Sequence, residues 1–150
     1  MKARLGDPVS PLLLSVRSGA KFSMPGMMDT VLNLGLNDRS VEGLVMSTND
    51  KRFAYDSYRR FISMYGRIVL GIDGAKFEHP FNDAKKSAGV ASDAELSASA
   101  LKALCETYKS IVKVETGREF PQEPSKQLRG AVEAVFRSWN GARAIAYRIR

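Results

Sequence analysis

The segment Leu12–Leu36, with the sequence LLLSVRSGAKFSMPGMMDTVLNLGL, decides how the rest of this chain is interpreted. An apolar run at Leu12–Val16 is followed at once by a cation, Arg17, and then by a loop that contains two glycines. A second apolar run, Thr30–Leu34, follows the loop. Short apolar runs bounded by glycine and proline are typical of strands. The segment therefore predicts a strand, a glycine-containing loop and a second strand.

Arg17 and the loop after it form a candidate anion-binding site. The guanidinium of Arg17 offers planar donors that match phosphate oxygens, and the loop glycines permit conformations in which backbone N–H groups turn toward the same anion. The residues alone leave a second interpretation open, in which Arg17 is a structural arginine paired with a carboxylate such as Asp29. The loop is not a Walker A motif, because Lys21 is followed by Phe22 instead of Ser or Thr.

Helical periodicity dominates the chain after the second strand. Apolar residues recur at spacings of three and four, which is typical of helices with one buried face. Helices are predicted over Val41–Ser47, over Arg52–Leu70 and around Leu101–Val112. Gly117 stands just beyond the expected end of the third of these helices. The stretch Gly71–Gly89 contains scattered Gly, Pro, Asn and Asp, which indicates only short helical pieces.

A further amphipathic helix is predicted over Ser125–Trp139, with Pro124 in its first turn, where a missing N–H costs little. One buried stripe is predicted along this helix, formed by Leu128, Val132, Val135, Phe136 and Trp139. The last segment, Ala142–Arg150, also has a helical pattern. The predicted fold class is therefore α+β, mainly α.

Composition is that of a single globular domain. The 150 residues are 44% hydrophobic, and no apolar run approaches the roughly 18 residues that a membrane span needs. The net charge of +7 suits an anionic ligand. The cations are dispersed, and one Cys plus one His exclude a zinc finger, so we expect no nucleic-acid partner and no membrane partner. The single cysteine, Cys105, fits a core thiol in a reducing cytoplasm. The only histidine, His79, is interpreted as a surface or packing residue.

Four blocks of sequence, in order, resemble the ATP-binding domain of the pyruvate, phosphate dikinase family. They are SVRSGAKFSMPGMMDTVLNLGLND (15–38), RFAYDSYRRFI (52–62), the run around Glu115-Thr116-Gly117 with Phe120-Pro121, and AVFRSWNGARAIAYR (134–148). The methionine-rich SMPGMMDT is the most specific of them. The wider phosphoenolpyruvate synthase group has a related Val-Arg-Ser and glycine loop, but not this version. The resemblance spans essentially the whole chain.

The resemblance implies a partial ATP-grasp domain with a helical insertion subdomain. Residues 1–36 would form a strand–loop–strand piece with the glycine loop, residues 37–122 the helical insertion, and residues 123–150 the returning helices. Arg17 would be the catalytic residue, because the arginine of this motif meets ATP phosphates in the family. The implied nucleotide-binding residues are Arg17, Ser18, Lys21, Ser23, Met24, Gly26, Met27 and Met28. Two alternatives to these roles stay open. The three methionines are equally suited to fill a hydrophobic core, and Lys21 is equally suited to be a solvated surface residue. One of Arg137, Arg143 and Arg148 is expected to face the nucleotide.

The resemblance also implies a reaction, the interconversion of ATP, pyruvate and phosphate with AMP, phosphoenolpyruvate and diphosphate. It implies ATP and Mg²⁺ as cofactors, with the metal ligands outside this chain, and as partners the remaining domains of a longer, homo-oligomeric parent enzyme. The family's N-terminal strands and lysine, metal-binding carboxylates, phosphohistidine domain and pyruvate-binding barrel are not found in this sequence. We therefore expect a piece of a large enzyme that is inactive by itself. The alternative is a non-catalytic helical binding or interaction module. A basic domain that binds anions or nucleic acid is a weaker third reading.

Overall fold

The computed structural model describes residues 4–17, 30–140 and 145. Its strands are β1 (Arg4–Leu5), β2 (Pro11–Leu12), β3 (Leu14–Val16) and β4 (Val31–Leu34). Its helices are α1 (Ser40–Thr48), α2 (Lys51–Ile68), α3 (Ala75–Ala88), α4 (Ala98–Thr116) and α5 (Pro124–Ser138), with a 3₁₀ turn at Asp93–Glu95. The described part of the chain is mainly helical with a small β part, so the predicted class, α+β and mainly α, is confirmed.

The strands form two separate two-stranded sheets. β1 and β2 pair in parallel, whereas β3 and β4 are antiparallel, with Val16 opposite Val31. The predicted strand Leu12–Val16 is thus split at Leu13 between the two sheets. The predicted strand Thr30–Leu34 begins one residue later than expected. We call the β3–β4 pair the hairpin.

Helix α2 lies at the centre of the described structure, in contact with α1, α4, α5 and β4. Its inner face consists of Ala54, Tyr55, Tyr58, Phe61, Ile62 and Tyr65, all of them buried. Phe120, in the connector between α4 and α5, packs edge-on against three of these rings, with centroids 5.7 to 6.4 Å apart. Aromatic pairs of this geometry add about 0.5–1.5 kcal/mol to the area that they bury.

The helix boundaries follow local signals that the sequence shows. The Asn37 side-chain oxygen accepts hydrogen bonds from the backbone N–H groups of Arg39 and Ser40 at the start of α1. Gly117 ends α4 in the left-handed conformation, with a φ of 70°. Pro124 occupies the first turn of α5. The predicted helices α1, α2, α4 and α5 are therefore confirmed, with ends that shift by a few residues.

The prediction of only short helical pieces over Gly71–Gly89 is wrong, because α3 is a 14-residue helix. Phe77, Phe81 and Ala84 all pack against the core, at helical spacings of four and three. The Phe77 ring is buried edge-on against Tyr108 of α4, 5.0 Å between centroids. This burial outweighs Pro80 within the helix, which removes one backbone hydrogen bond.

The predicted buried stripe of α5 is wrong at Phe136 and Trp139, and Leu128 and Val132 are only partly buried. Phe136 is 69% exposed and Trp139 is 36% exposed, whereas Val135 is buried. The inward face consists instead of Gln127, Ala131, Ala134 and Val135. The reason is close approach to α2, because a Cβ on Gly130 would stand 2.3 Å from the Tyr65 hydroxyl. Small residues therefore face α2, and the bulky Phe136 is turned outward.

Two phenylalanine truncations test this arrangement. Phe77→Ala should lower the free energy of unfolding by about 3–5 kcal/mol, because it empties a buried site. Phe136→Ala should change the same quantity by no more than about 0.5 kcal/mol, because the ring is exposed. Equilibrium urea denaturation measures both values. A loss at Phe136 as large as that at Phe77 would contradict the orientation of α5.

Candidate functional site

Arg17 is exposed and directly follows β3, at the end of the hairpin where the segment that connects β3 to β4 begins. Val16 of β3 pairs with Val31 of β4, so the strand residues before and after this segment of the sequence lie opposite each other. No carboxylate within residues 4–17 and 30–140 forms an ion pair with the Arg17 guanidinium. The structure thus presents one accessible cation at the point where the glycine-rich segment begins.

The other predicted nucleotide-binding residues lie outside the described residues, and so does Asp29, the alternative partner of Arg17. They are Ser18, Lys21, Ser23, Met24, Gly26, Met27 and Met28. Of the three arginines expected near the nucleotide, Arg143 and Arg148 also lie outside the described part. Arg137 is exposed and donates a hydrogen bond to the Val69 carbonyl, 3.3 Å away.

The opposite end of the hairpin is fixed by a buried amide that the sequence analysis did not single out. Gln127 of α5 is fully buried. Its Oε1 accepts from the Gly35 N–H at 3.1 Å, and its Nε2 donates to the Leu36 carbonyl at 2.8 Å and the Pro121 carbonyl at 2.7 Å. A polar residue four positions before the buried Ala131, on the inward helix face, is the signal that could have identified it.

Three more side chains hold the same turn. The Ser40 hydroxyl donates to the Gly35 carbonyl at 2.7 Å. The Asn37 Nδ2 donates to the Gln122 carbonyl at 2.9 Å, and the Gln122 Oε1 accepts from the Asp38 N–H at 2.8 Å. We call this set, Asn37, Ser40, Gln122 and Gln127, the polar clamp. It joins the turn after β4 to the connector before α5.

Gly35 itself has no room for a side chain. Its φ is 105°, and a Cβ would stand 2.8 Å from the Leu12 carbonyl oxygen and 2.8 Å from the Leu5 side chain. Only glycine adopts this conformation without strain. The turn therefore seats against β1 and β2 while the polar clamp holds it from the other side.

Asp38 connects the clamp to α2 and α4. Its carboxylate accepts from the Tyr58 hydroxyl at 2.8 Å and from Lys109 Nζ at 2.7 Å. Burial raises the pKa of Tyr58 far above its usual value, and the Asp38 charge adds to this effect. Burial lowers the Lys109 pKa, but hydrogen bonds to Asp38 and Glu106 outweigh it and leave that pKa raised. Tyr58 therefore stays neutral and Lys109 charged at neutral pH.

An open cleft of about 870 Å³ lies beside the connector, between the ends of α2 and α4 and the start of α5. Its volume would suit a nucleotide, but its charges are largely balanced. Lys126 pairs with Glu123, and Glu119 pairs with Lys113. Arg118 is the exception, since it forms no ion pair within the described residues. Balanced charge favours a solvated surface over a polyphosphate site.

The remaining candidate residues have structural positions. His79 is exposed on α3. Tyr55 and Tyr58 are buried in the core, and Arg59 is 8% exposed, bound to Asp56 and stacked 4.2 Å above the Phe81 ring. These three residues therefore serve the packing of α2.

Within residues 4–17 and 30–140, no three His, Cys, Asp or Glu side chains come together to hold a metal ion. None of the helices in the described ranges has both the length and the apolar character of a membrane span.

Cys105 is a core thiol, as expected. It is 1% exposed, and its Sγ donates to the Tyr55 carbonyl at 3.5 Å. Burial raises the pKa of Cys105 to about 12. The thiol is therefore protonated at neutral pH, and a protonated, inaccessible thiol is a poor nucleophile.

Comparison with known proteins gives one consistent result. The family model described as the pyruvate phosphate dikinase AMP/ATP-binding domain matches residues 1–150. The chain is 58% identical over 146 residues to a chloroplastic pyruvate, phosphate dikinase 1 of Arabidopsis thaliana, covering 97% of this chain and 15% of that protein. It is 56% identical over 146 residues to a pyruvate, phosphate dikinase of Clostridium symbiosum, covering 97% of this chain and 17% of that protein.

A third relative, a pyruvate, phosphate dikinase of Giardia intestinalis, is 55% identical over 148 residues, which is 99% of this chain and 17% of that protein. The chain therefore spans between 15% and 17% of the length of these three relatives.

The Cys105 thiol gives a direct test of the packing of α4 against α2. At pH 8 the native protein should react with an aromatic disulfide reagent at least about a hundredfold more slowly than free cysteine, because little thiolate is present and the sulfur is inaccessible. Absorbance of the released thiolate reports the rate. The same protein in denaturant is the control and should react at the rate of free cysteine. Fast reaction of the native protein would contradict the buried position.

Proposed function

Because the chain belongs to the pyruvate phosphate dikinase AMP/ATP-binding domain family, we propose that it binds ATP and that Arg17 contacts the phosphates. The observation that supports this most is the position of Arg17, exposed, without an ion-pair partner in the described ranges, and next to segment 18–29. A guanidinium in this position matches two phosphate oxygens at once.

We further propose that segment 18–29 supplies backbone N–H donors and the remaining nucleotide contacts, at Ser18, Lys21, Ser23, Met24, Gly26, Met27 and Met28. The strands on either side of this segment in the sequence pair with each other in the hairpin. Backbone amides and one fixed cation stabilise the charge that develops on the transferred group. In this proposal Arg17 is the catalytic residue of the chain.

The full reaction is a proposal for the longer protein. In it, ATP, pyruvate and phosphate are interconverted with AMP, phosphoenolpyruvate and diphosphate, through a carrier histidine in another domain of a homo-oligomeric enzyme. Mg²⁺ would enter bound to the phosphates of ATP. The described residues include no metal-binding cluster, so no residue of this chain is assigned to the metal. A reducing compartment, such as the cytoplasm, is proposed from the single cysteine.

For the architecture we propose a partial ATP-grasp domain. The strand–loop–strand piece (1–36) and the returning helices (123–150) would belong to the nucleotide-binding body, and residues 37–122 would form the insertion. One contact supports these boundaries: the Asn37 Nδ2 donates to the Gln122 carbonyl. An insertion must leave and re-enter its host at neighbouring points, and these two residues are neighbours.

A second candidate function is a non-catalytic helical interaction module. It is favoured by the helical core around α2, which gives the described part a fold that does not depend on a nucleotide. Nucleotide titration separates the two candidates, because only the first requires ATP affinity.

Isothermal titration calorimetry with ATP, with and without Mg²⁺, tests the first candidate. The wild-type chain should bind, and Arg17→Ala should weaken binding by about ten- to a hundredfold, since a charge-assisted hydrogen bond contributes about 1.5–3 kcal/mol. Arg17→Lys should recover part of the loss, because a point charge lacks the bidentate geometry. Arg118→Ala is the matched control, an exposed arginine that also removes one charge. Equal losses for Arg17→Ala and Arg118→Ala would mean non-specific attraction and would reject the site.

The chain by itself should not form phosphoenolpyruvate from ATP, pyruvate and phosphate. The proposed mechanism needs a carrier histidine, and the only histidine, His79, is exposed on α3 next to Pro80, away from Arg17 in sequence and outside any phosphohistidine motif. A coupled spectrophotometric assay for phosphoenolpyruvate measures this, with a full-length pyruvate, phosphate dikinase as the positive control. Turnover by the purified chain would overturn the assignment.

A further inference from the structure

We propose that Gln127 is a positioning residue for Arg17, acting through the turn after β4 and the hairpin. The proposal rests on the proposed function of Arg17 and names a residue to which no role has been assigned. Its starting point is that Gln127 is a fully buried polar residue among small apolar ones on the inward face of α5. Burying an amide is unfavourable unless its hydrogen bonds are satisfied.

The Gln127 amide is well satisfied. Its Nε2 uses both protons, on the carbonyls of Leu36 and Pro121, and its Oε1 accepts from the Gly35 N–H. A glutamine amide offers two donors and one oxygen acceptor. All three backbone partners belong to irregular segments, which have no ladder or helix to satisfy them. The Gln127 amide therefore forms the hydrogen bonds that a strand or helix would otherwise provide to these three backbone groups.

The part of α5 that carries Gln127 is held in place by packing. Its neighbour on α5, Gly130, packs closely against α2, where it stands so near Tyr65 that a Cβ would clash with the hydroxyl. Ala131 is fully buried. The position of Gln127 relative to the core is therefore determined by packing and not by the turn that it binds.

The hairpin connects the turn that Gln127 binds to Arg17. Gly35 directly follows β4, β4 pairs with β3, and Arg17 directly follows β3. This pair of strands is short, with a register irregularity between Leu14 and Val16, so its own ladder constrains the hairpin weakly. An anchor at Gly35 and Leu36, where β4 ends, is what fixes the direction of the opposite end, which carries Arg17. Misplacement of a charged group by about 1 Å can cost on the order of a hundredfold in function.

An apolar side chain at position 127 would match the other residues of the helix face, but it would form none of the three hydrogen bonds to the backbone. Methionine has nearly the volume of glutamine and would leave three backbone groups unsatisfied. Glutamate keeps the acceptor for the Gly35 N–H and, when ionised, lacks both donors. The variants Gln127→Met and Gln127→Glu therefore remove all or part of the anchor without emptying the site.

The first measurement is amide hydrogen exchange on the whole chain, which needs no nucleotide. Gln127→Met should lower the protection of β3 and β4 at least tenfold more than that of α4. Phe77→Ala is the matched control, a destabilising change on α3, which should lower protection across the chain without singling out the hairpin. Should Gln127→Met fail to fold, Ser40→Ala removes one bond to Gly35 from the same clamp and should give the same pattern more weakly.

The second measurement is calorimetric ATP binding. Gln127→Met should weaken affinity on the order of ten- to a hundredfold, Gln127→Glu by less, and Phe77→Ala by less than about twofold while the protein is folded. In the double variant Arg17→Ala/Gln127→Met, affinity should be no lower than in Arg17→Ala alone, because a positioning residue has no effect once its target is removed.

The outcomes separate the two proposals. Selective loss of hairpin protection together with non-additive affinity supports the positioning role. Uniform loss of protection, or additive effects of the two substitutions, overturns it and leaves Gln127 a stability residue. No ATP binding by the wild-type chain rejects the proposed function, and the exchange experiment then still decides whether Gln127 holds the hairpin.

Discussion

The apolar face of α2 is buried by α1, α4, α5 and β4, and these four elements are placed by their packing against it. The aromatic rings on this face meet Phe120 edge-on, so a single residue of the connector is locked among three rings. Burying one large apolar side chain contributes about 1.5–3 kcal/mol, which is a large share of the stability of a domain this size. The hairpin and α5 are oriented because they pack against this face.

In the turn between β4 and α1, Leu36 is buried in the hydrophobic core, and polar side chains hold the backbone on both sides of it. Gly35 is too crowded for a side chain, and its N–H and carbonyl are each satisfied by a side chain, Gln127 and Ser40. Apolar contacts tolerate small shifts, whereas hydrogen bonds require defined distances and angles. The polar clamp therefore gives a precise position to a short hairpin whose own pairing is weak.

Charge is distributed unevenly between the helical part and the hairpin. In the helical part many of the lysines and arginines have carboxylate partners, as at Lys109 with Asp38 and Lys113 with Glu119. Exposed pairs of this type add little stability, but they cancel the local field. Arg17, by contrast, has no such partner in the described ranges. A net charge of +7 thus leaves an accessible cation where the family resemblance expects phosphate, and this agreement motivates the ATP proposal.

The sequence by itself determined the family, the mainly helical class, four of the helices and the strands on both sides of segment 18–29. These follow from local rules, since periodicity of three and four, the Gly117 end and Pro124 at a helix start act within one element. Tertiary structure decided what depends on neighbours. It made α3 a full helix despite Pro80, because Phe77 finds a buried place against Tyr108.

Tertiary structure also turned Phe136 outward, because Gly130 brings α5 too close to α2 for any face but the one with small residues. Gln127 shows the same limit most clearly. The sequence places it on one helix face with Ala131, but only its contacts with Gly35 and Leu36, 92 and 91 residues away in the chain, make it the buried anchor of the hairpin. Local patterns specify elements, but the contact that positions a site is formed between elements and is set by how they pack.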